Sequence, residues 1–347
     1  MEEPVTIVIP HYRAEVLVDC LASLFACPDW PIRVLVVDDG QNAPSLQRAA
    51  ARFAPIEILR NPANLGFSAS CNRGLEAADT TYAVLLNDDT RVSAGWLRPL
   101  VRACESDAAV AACQPKLLSA THAGCFDYGG GAGGYIDRLG YTFCRGRLFD
   151  HLETDEGQYD RQVPLFWACG SAMFLRLAAV RQVGLLDLDF FMHFEEIDLC
   201  WRLQLAGYRI VAVPSSVVHH HSGFSLPPRS YLKAYLNHRN NLVTLVKNMP
   251  AARLARVLPL RLLLEAASVL AYAARGDWRL APAPVAALVW CASHPGNLAR
   301  RRRQSRSLVR LGADDQVRGV YPGSAAVQYY LRGRRRSLDL VPEDPPS

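Results

Sequence analysis

The sequence predicts an α/β protein: a doubly wound, mostly parallel sheet with a C-terminal helical extension. Three observations predict it. Short apolar, β-branched runs alternate with helix-like segments over residues 1–115. Carboxylate pairs follow two of those runs, at the strand ends where such sheets open a cleft. From residue 229 onward the composition turns to Leu, Ala and Arg at helical spacing. The 347 residues are 50% hydrophobic and 20% charged, which excludes a disordered or collagen-like chain.

The first strand is 5–10 (VTIVIP), the second 33–37 (RVLVV), the third 56–59 and the fourth 82–86 (YAVLL). Each is nearly continuous in apolar residues, as a strand covered on both faces must be. Helix-like segments near 14–26, 44–53 and 66–78 supply the crossovers. Residues 121–162 are rich in Gly, Tyr and Asp without a clear period, and read as a long ordered loop region or a small insertion. Within them 129–134 (GGGAGG) formally satisfies GxGxxG. It neither follows an apolar strand nor opens a helix, so it reads as a flexible lid or substrate loop. Regular structure resumes with 170–176 (GSAMFLR), helices near 176–183 and 195–206, and a strand at 209–213.

Charge divides the chain. Before residue 229 there are 18 Lys and Arg against 26 Asp and Glu, and from 229 onward there are 20 against 7. An acidic body argues against nucleic acid as a partner. The expected division is 1–228 for the body, 229–340 for a basic helical region and 341–347 for a disordered, Pro-rich tail. In the extension, Arg261, Glu265, Ser268, Tyr272 and Arg275 form one polar stripe on an otherwise apolar helix. With Arg300–Arg303, that helix suits an anionic membrane surface, or packing on the body or on a second copy in a homo-oligomer. The ten cysteines include no CxxC and read as buried reduced thiols of a cytoplasmic protein. The N-terminus shows neither the basic nor the apolar region of a signal peptide.

Candidate chemistry gathers in three places. Asp38-Asp39 and Asp88-Asp89 lie at strand ends on one sheet edge. Their hard oxygens suit Mg²⁺ or Mn²⁺ completed by the phosphates of a nucleotide diphosphate. Glu195, Glu196 and Asp198 open a helix just after the aromatic run 190–194 (FFMHF). A carboxylate beside apolar rings gains the raised pKa that a general base needs. Asp198 and Arg202 are spaced to pair on the helix surface. His219, His220 and His221 follow a strand and cannot all face one metal, so one of them points inward.

Taken in order, these motifs resemble a known family: VTIVIPHYR (5–13), VVDDG (36–40), NLGFSASCNRG (64–74), LLNDDT (85–90), GSAMFLR (170–176), EEIDLCWRLQLAGYRI (195–210), HHSGFS (220–225) and HRNNLVTLVKNMP (238–250). The chain resembles the family 2 glycosyltransferases, inverting enzymes of the GT-A fold, and among them the rhamnosyltransferase-type branch. The likeness spans roughly residues 4–248. It implies that Pro10, His11 and Tyr12 line the nucleotide pocket and that Asp38, with Asp39, bonds the base. Asn64, Gly66 and Asn72 then shape the pocket near the ribose and phosphates. Asn87-Asp88-Asp89 takes the family's DxD position, with Asp89 on the metal and Asp88 assisting at ribose or metal. Glu196 stands where the family usually has an aspartate base, and Glu195 is its stand-in. His220 matches a further metal or diphosphate contact. Arg239 and Asn240 match an RN pair of the branch, which puts Arg239 at the nucleotide sugar.

The resemblance implies transfer of a sugar, rhamnose by the branch, from a nucleotide-diphosphate donor to a hydroxyl of a glycan or lipid-linked glycan, with inversion. Mg²⁺ or Mn²⁺ is the implied cofactor, and the inner face of the plasma membrane the implied place. The alternative is a catalytically inactive GT-A domain acting as a binding or assembly module.

Overall fold

The computed structural model describes residues 2–12, 16–26, 28–40, 43–53, 55–222, 229–310, 312 and 316–343. Strands β1 Val5–His11, β2 Ile32–Asp38, β3 Ile56–Arg60 and β4 Tyr82–Leu86 alternate with helices α1 Leu17–Ala26, α2 Ala43–Arg52 and α3 Phe67–Ala77. Then come β5 Thr90–Val92, α4 Leu97–Glu105 and β6 Val110–Ser119, followed by short strands β7 Gly134–Asp137, β8 Thr142–Cys144, β9 Arg147–Leu148, β10 His151–Leu152 and β11 Pro164–Leu165. The body continues with β12 Ala172–Arg176, α5 Leu177–Val183, α6 Glu195–Leu205 and β13 Arg209–His220. The extension holds α7 Tyr231–Asn248, α8 Ala251–Ala274, α9 Pro282–Ser293, α10 Pro295–Arg306 and β14 Val320–Tyr321.

The main sheet runs β11-β13-β6-β12-β4-β1-β2-β3, with β5 laid on β13. Pairs β1–β2, β2–β3, β1–β4 and β6–β13 are parallel, and β12 alone among the central strands runs antiparallel to both neighbours. The reversal follows from the route. After β6 the chain stays at the carboxyl edge of the sheet, so β12 must descend. Ala172, its first residue, therefore lies opposite Leu86, the last of β4, and Gly170-Ser171 is delivered to the cleft.

The stretch 121–162 is an insertion with its own sheet, β10-β9-β8-β7, closed by β14 from the C-terminus. The glycine run there is not a lid. A Cβ at Gly131 would meet the Arg145 carbonyl at 2.1 Å, and one at Gly134 the Trp167 ring at 2.0 Å. These glycines let backbones cross inside the core, so mobility is the wrong reading of their composition.

Packing does not break at residue 228. Helix α7 docks on α6, and Asp198, fully buried, accepts from Arg202 Nε (2.8 Å), Lys247 Nζ (2.8 Å) and Asn248 Nδ2 (2.8 Å). The surface pair expected of Asp198 and Arg202 is thus an interior junction between body and extension. The arginine run is partly used inside the chain as well. Arg301 pairs with Asp187, and Arg302 Nη1 donates to the Val246 and Met249 carbonyls, capping the end of α7. Arg300 and Arg303 remain exposed. The tail departs from the expected disorder as far as Glu343, which accepts from Arg145 at 2.6 and 2.9 Å. Residues 344–347 lie outside the described residues.

Helix α8 is turned inside out for a soluble protein. Its polar stripe faces inward: Arg261 and Glu265, each 1% exposed, bond at 2.6 Å, and Glu265 meets His238 of α7 at 2.5 Å. The apolar face points outward, with Leu263 68% and Leu270 72% exposed. By length and by a mean hydropathy of 1.6, the helix would suffice to cross a membrane. The Glu265–His238 contact ties this inward face to α7.

Candidate active site

The cleft lies along the carboxyl edge of the main sheet. His11, the last residue of β1 and wholly buried, meets Asp88 Oδ2 through Nδ1 at 2.6 Å, while its Nε2 is buried without a partner. Burial raises the Asp88 carboxyl above the usual range, and the His11 bond only partly offsets it. Asp38, 2% exposed, accepts a 3.3 Å bond from the Gly40 N–H. Pro10 and Tyr12 flank His11, and the Tyr12 carbonyl lies so close to Gly40 that a Cβ there would fall 1.7 Å from it.

Asp89 and His220 meet because β5 pairs with β13, putting Thr90 opposite His220. Asp89 Oδ1 is 3.1 Å from His220 Nε2, without hydrogen-bond geometry. On the other side, His220 Nδ1 is 3.0 Å from Asp127 Oδ2. The Ser222 hydroxyl (2.9 Å) and the Gly129 N–H (2.6 Å) hold Asp127 in turn. Burial opposes the imidazolium, but Asp127 and Asp89 prevail and raise His220 to about 10. Burial likewise opposes the Asp127 charge, yet His220 and Ser222 keep that carboxyl below its usual range. Strand alternation selects His220, since His219 and His221 are both half-exposed.

This turn fits a divalent cation. Asn87 Oδ1 and Asp89 Oδ1 are buried oxygens lacking hydrogen-bond partners, with the His220 nitrogen beside them. Mg²⁺ and Mn²⁺ are commonly held by one or two side chains, with substrate phosphates and water completing the shell. Among the described residues no three His, Cys, Asp or Glu side chains form a metal cage. Asp127 stands where an outer carboxylate would orient a ligating histidine.

Helix α6 begins after Phe191, His193 and Phe194, all at positive φ (62°, 68° and 74°). Non-glycine residues hold that conformation only with outside support. Asn240 supplies it, sharing its Nδ2 hydrogens among the carbonyls of Phe190 (3.1 Å), Met192 (3.0 Å) and His193 (2.7 Å). The entry turns Glu195 into the core and leaves Glu196 half-buried beside Gly170. Burial raises Glu196 to about 7, tempered by the N–H groups at its own helix start. Burial and Glu196 push Glu195 well above the carboxylate range. Gly170-Ser171 links the two halves of the cleft: the Asn87 N–H donates to the Ser171 carbonyl at 2.9 Å.

Several expected pocket residues are engaged elsewhere. Asp39 accepts from Asn61 Nδ2 (2.8 Å), Leu65 N (2.7 Å) and Gly66 N (2.9 Å), so it anchors the start of α3. Asn64 Oδ1 takes the same Gly66 N–H at 3.1 Å. Gly66, at φ 88°, lies under the Phe191 ring, 2.4 Å from where a Cβ would sit, so its smallness serves that ring rather than a phosphate. Asn72 clamps the Leu186 backbone with two bonds (2.8 and 3.0 Å). Arg239 lies over Tyr235 and Trp290 and donates to the Asp189 carbonyl at 2.7 Å, so it braces the loop ahead of α6. Sequence reasoning missed Asp127, Ser171 and Ser222. Asp127 stands 93 positions from His220 in an aperiodic stretch, where no spacing rule points to it.

A mostly parallel sheet with one descending strand at its centre, and a carboxylate turn at its cleft, is the architecture of the GT-A class of sugar-nucleotide enzymes. The family model for glycosyl transferase family 2 matches residues 6–119, and that for glycosyl transferase family group 2 matches 82–300; the chain belongs to the family 2 glycosyltransferases. It is similar to the N-acetylglucosaminyl-diphospho-decaprenol L-rhamnosyltransferase of Mycobacterium tuberculosis, at 29% identity over 244 residues, covering 62% of this chain and 75% of that one. Its fold is similar to that of mannosyltransferase PcManGT from Pyrobaculum calidifontis in complex with GDP-Man and Mn²⁺ (TM-score 0.51, 15% identity, 91% and 87% covered). It is also similar to GalNAc-T7 with UDP, GalNAc and Mn²⁺ (TM-score 0.56, 14% identity, 71% and 48% covered), about half the length of which this chain spans.

Proposed function

We propose that this glycosyltransferase moves rhamnose from a nucleotide-diphosphate donor to a hydroxyl of a lipid-linked glycan, with inversion at the anomeric carbon. The observation that carries the reading is Glu196: half-buried, raised to about 7, and set across Gly170-Ser171 from the Asp89–His220 turn. A base on one side and a diphosphate site on the other suit a single displacement. The lipid-linked rhamnosyl acceptor named for the Mycobacterium tuberculosis relative supports the substrate class.

Asp38 and the Pro10–Tyr12 backbone hold the nucleoside, and Asp88, tied to His11, faces the ribose. Asp89 and His220 would hold Mg²⁺ or Mn²⁺, which when bound neutralises charge on the departing diphosphate. Asp127 keeps the His220 ring in orientation. Glu196 takes the proton of the acceptor hydroxyl as its oxygen attacks. Glu195 is turned into the core, where burial and Glu196 disfavour its charge. Incubation of thymidine-diphosphate rhamnose with a prenyl-diphosphate-linked N-acetylglucosamine tests the reading. A rhamnosylated product of inverted configuration supports it, and hydrolysis or transfer of another sugar alone overturns the rhamnose assignment. Absence of transfer or hydrolysis with every nucleotide sugar would favour the inactive binding module.

The outward apolar face of α8, with exposed Arg300 and Arg303 in the same C-terminal extension, supports a peripheral position on the anionic cytoplasmic face of a membrane.

A further inference from the structure

Two cations at the cleft have no part in the reaction outlined above. Arg147 opens β9 and Lys233 lies in the first turn of α7, and both are half-buried. They share the ring of Tyr128: the guanidinium is 4.1 Å and the ammonium 5.9 Å from its centroid. The fully buried cations among the described residues have carboxylate partners, such as Lys116 with Asp155, Arg145 with Glu343, Lys247 with Asp198 and Arg261 with Glu265, and half-buried Arg176, Arg239 and Arg302 donate to backbone carbonyls instead. Among the described residues, Arg147 and Lys233 have no carboxylate partner. Arg147 Nε is buried without a bond, and Nη2 reaches only the Cys144 sulfur at 4.0 Å.

The arrangement is unfavourable for Lys233. Two like charges are partly removed from water, and Lys233 stands at the positive end of the α7 dipole. Burial, then Arg147, depress the Lys233 pKa. An anion between the two would relieve all three penalties at once, because charge-assisted bonds to phosphate are strong and Arg suits a bidentate one.

Position indicates which anion. Tyr128 adjoins Asp127, and so the His220 end of the cleft. Lys233 stands on α7 two turns before Asn240, whose amide donates to the His193 carbonyl at 2.7 Å. His193 is two residues before Glu195, so the pair stands toward the base, where the acceptor hydroxyl must arrive. Tyr231 and Leu232, 44% and 43% exposed, precede Lys233 and offer apolar surface beside the charges. We propose that Arg147 and Lys233, around Tyr128, bind the diphosphate through which the acceptor sugar is joined to its lipid, with Tyr231 and Leu232 against the first lipid carbons. The proposal rests on the lipid-linked acceptor of the function proposed above.

Titration calorimetry on the full chain tests it, with farnesyl diphosphate as probe. Mn²⁺ is present, and the donor site is filled with whichever of thymidine, uridine or guanosine diphosphate binds. Farnesyl diphosphate is expected to bind alongside the nucleotide, and farnesol not to bind. Arg147→Gln and Lys233→Gln should each weaken the probe on the order of tenfold or more while nucleotide affinity is kept. Arg147→Lys, which keeps the charge, should retain part of the affinity and guards against loss through misfolding. Unchanged probe affinity in both Gln variants overturns the proposal. So does displacement of the probe by the nucleotide, which would give the pair to the donor diphosphate. Charge-dependent probe binding in a chain that transfers no sugar would leave this site standing and overturn the catalytic reading alone.

Discussion

The Asn240 amide donates to the His193 carbonyl at 2.7 Å, and through that bond α7 holds the backbone just ahead of Glu195 and Glu196. A residue 44 positions beyond Glu196 thereby sets the direction of the base carboxylate. Asn240→Ala removes a shared donor from three enclosed or partly enclosed carbonyls, and each one left unsatisfied costs up to about 1–3 kcal/mol. Both Tm and kcat are expected to fall, with donor affinity kept because Asp89 and His220 are untouched. An equal loss of donor affinity, measured by titration, would put Asn240 in a general folding role instead.

The two adjacent glutamates should separate by substitution. Glu196→Gln is expected to lower kcat by about 10²–10⁴ with donor binding unchanged. Glu195→Gln puts a neutral, isosteric group in a buried site that disfavours charge, so kcat should change by less than about tenfold. The reverse order of effects in single-turnover assays would make Glu195 the base.

Acid should switch the enzyme off through Glu196. A general base works when ionised, so with a pKa of about 7 the rate should climb from pH 5 and level off above pH 7. The sign for stability is opposite. A carboxyl whose folded pKa is raised contributes stability below its unfolded pKa of about 4.3, and that contribution is lost as pH rises through the folded value. The gain in Tm from Glu196→Gln should therefore be larger at pH 8 than at pH 4, as followed by calorimetric scans.

Asp127 should matter without touching the donor. Asp127→Asn leaves Asp89 and His220 in place but weakens the acceptor for the His220 ring. Loss of such an outer partner typically lowers metal affinity about 10–100-fold. Mn²⁺ titration monitored by calorimetry or electron paramagnetic resonance checks this, and an unchanged affinity would take His220 out of the metal site.

The outward face of α8 predicts lipid binding. Leu263→Glu with Leu270→Glu should abolish co-sedimentation with vesicles containing phosphatidylglycerol while leaving sugar-nucleotide hydrolysis intact. Dimerisation in sedimentation velocity, abolished by the same changes without any vesicle binding of the wild type, would assign the face to a second copy.

Much was legible in the sequence. The four leading strands, their crossover helices and the carboxylates after them follow from local pattern, because apolar periodicity and strand-end chemistry act over a few residues. So does the choice of one inward histidine out of three. The partners of those groups were not legible. Asp39 and Asn72 carry the residue types of a binding pocket, yet the fold turns their polar atoms onto the α3 start and the Leu186 backbone. Asp127 reaches His220, and Asn240 the base loop, only because distant elements are packed together. The polar stripe of α8 was readable as a stripe, but whether it faced water or protein depended on Glu265 finding His238. Periodicity sets which residues share a face. Only tertiary packing, through burial and long-range hydrogen bonds, decides what that face meets and which carboxylates are left for chemistry.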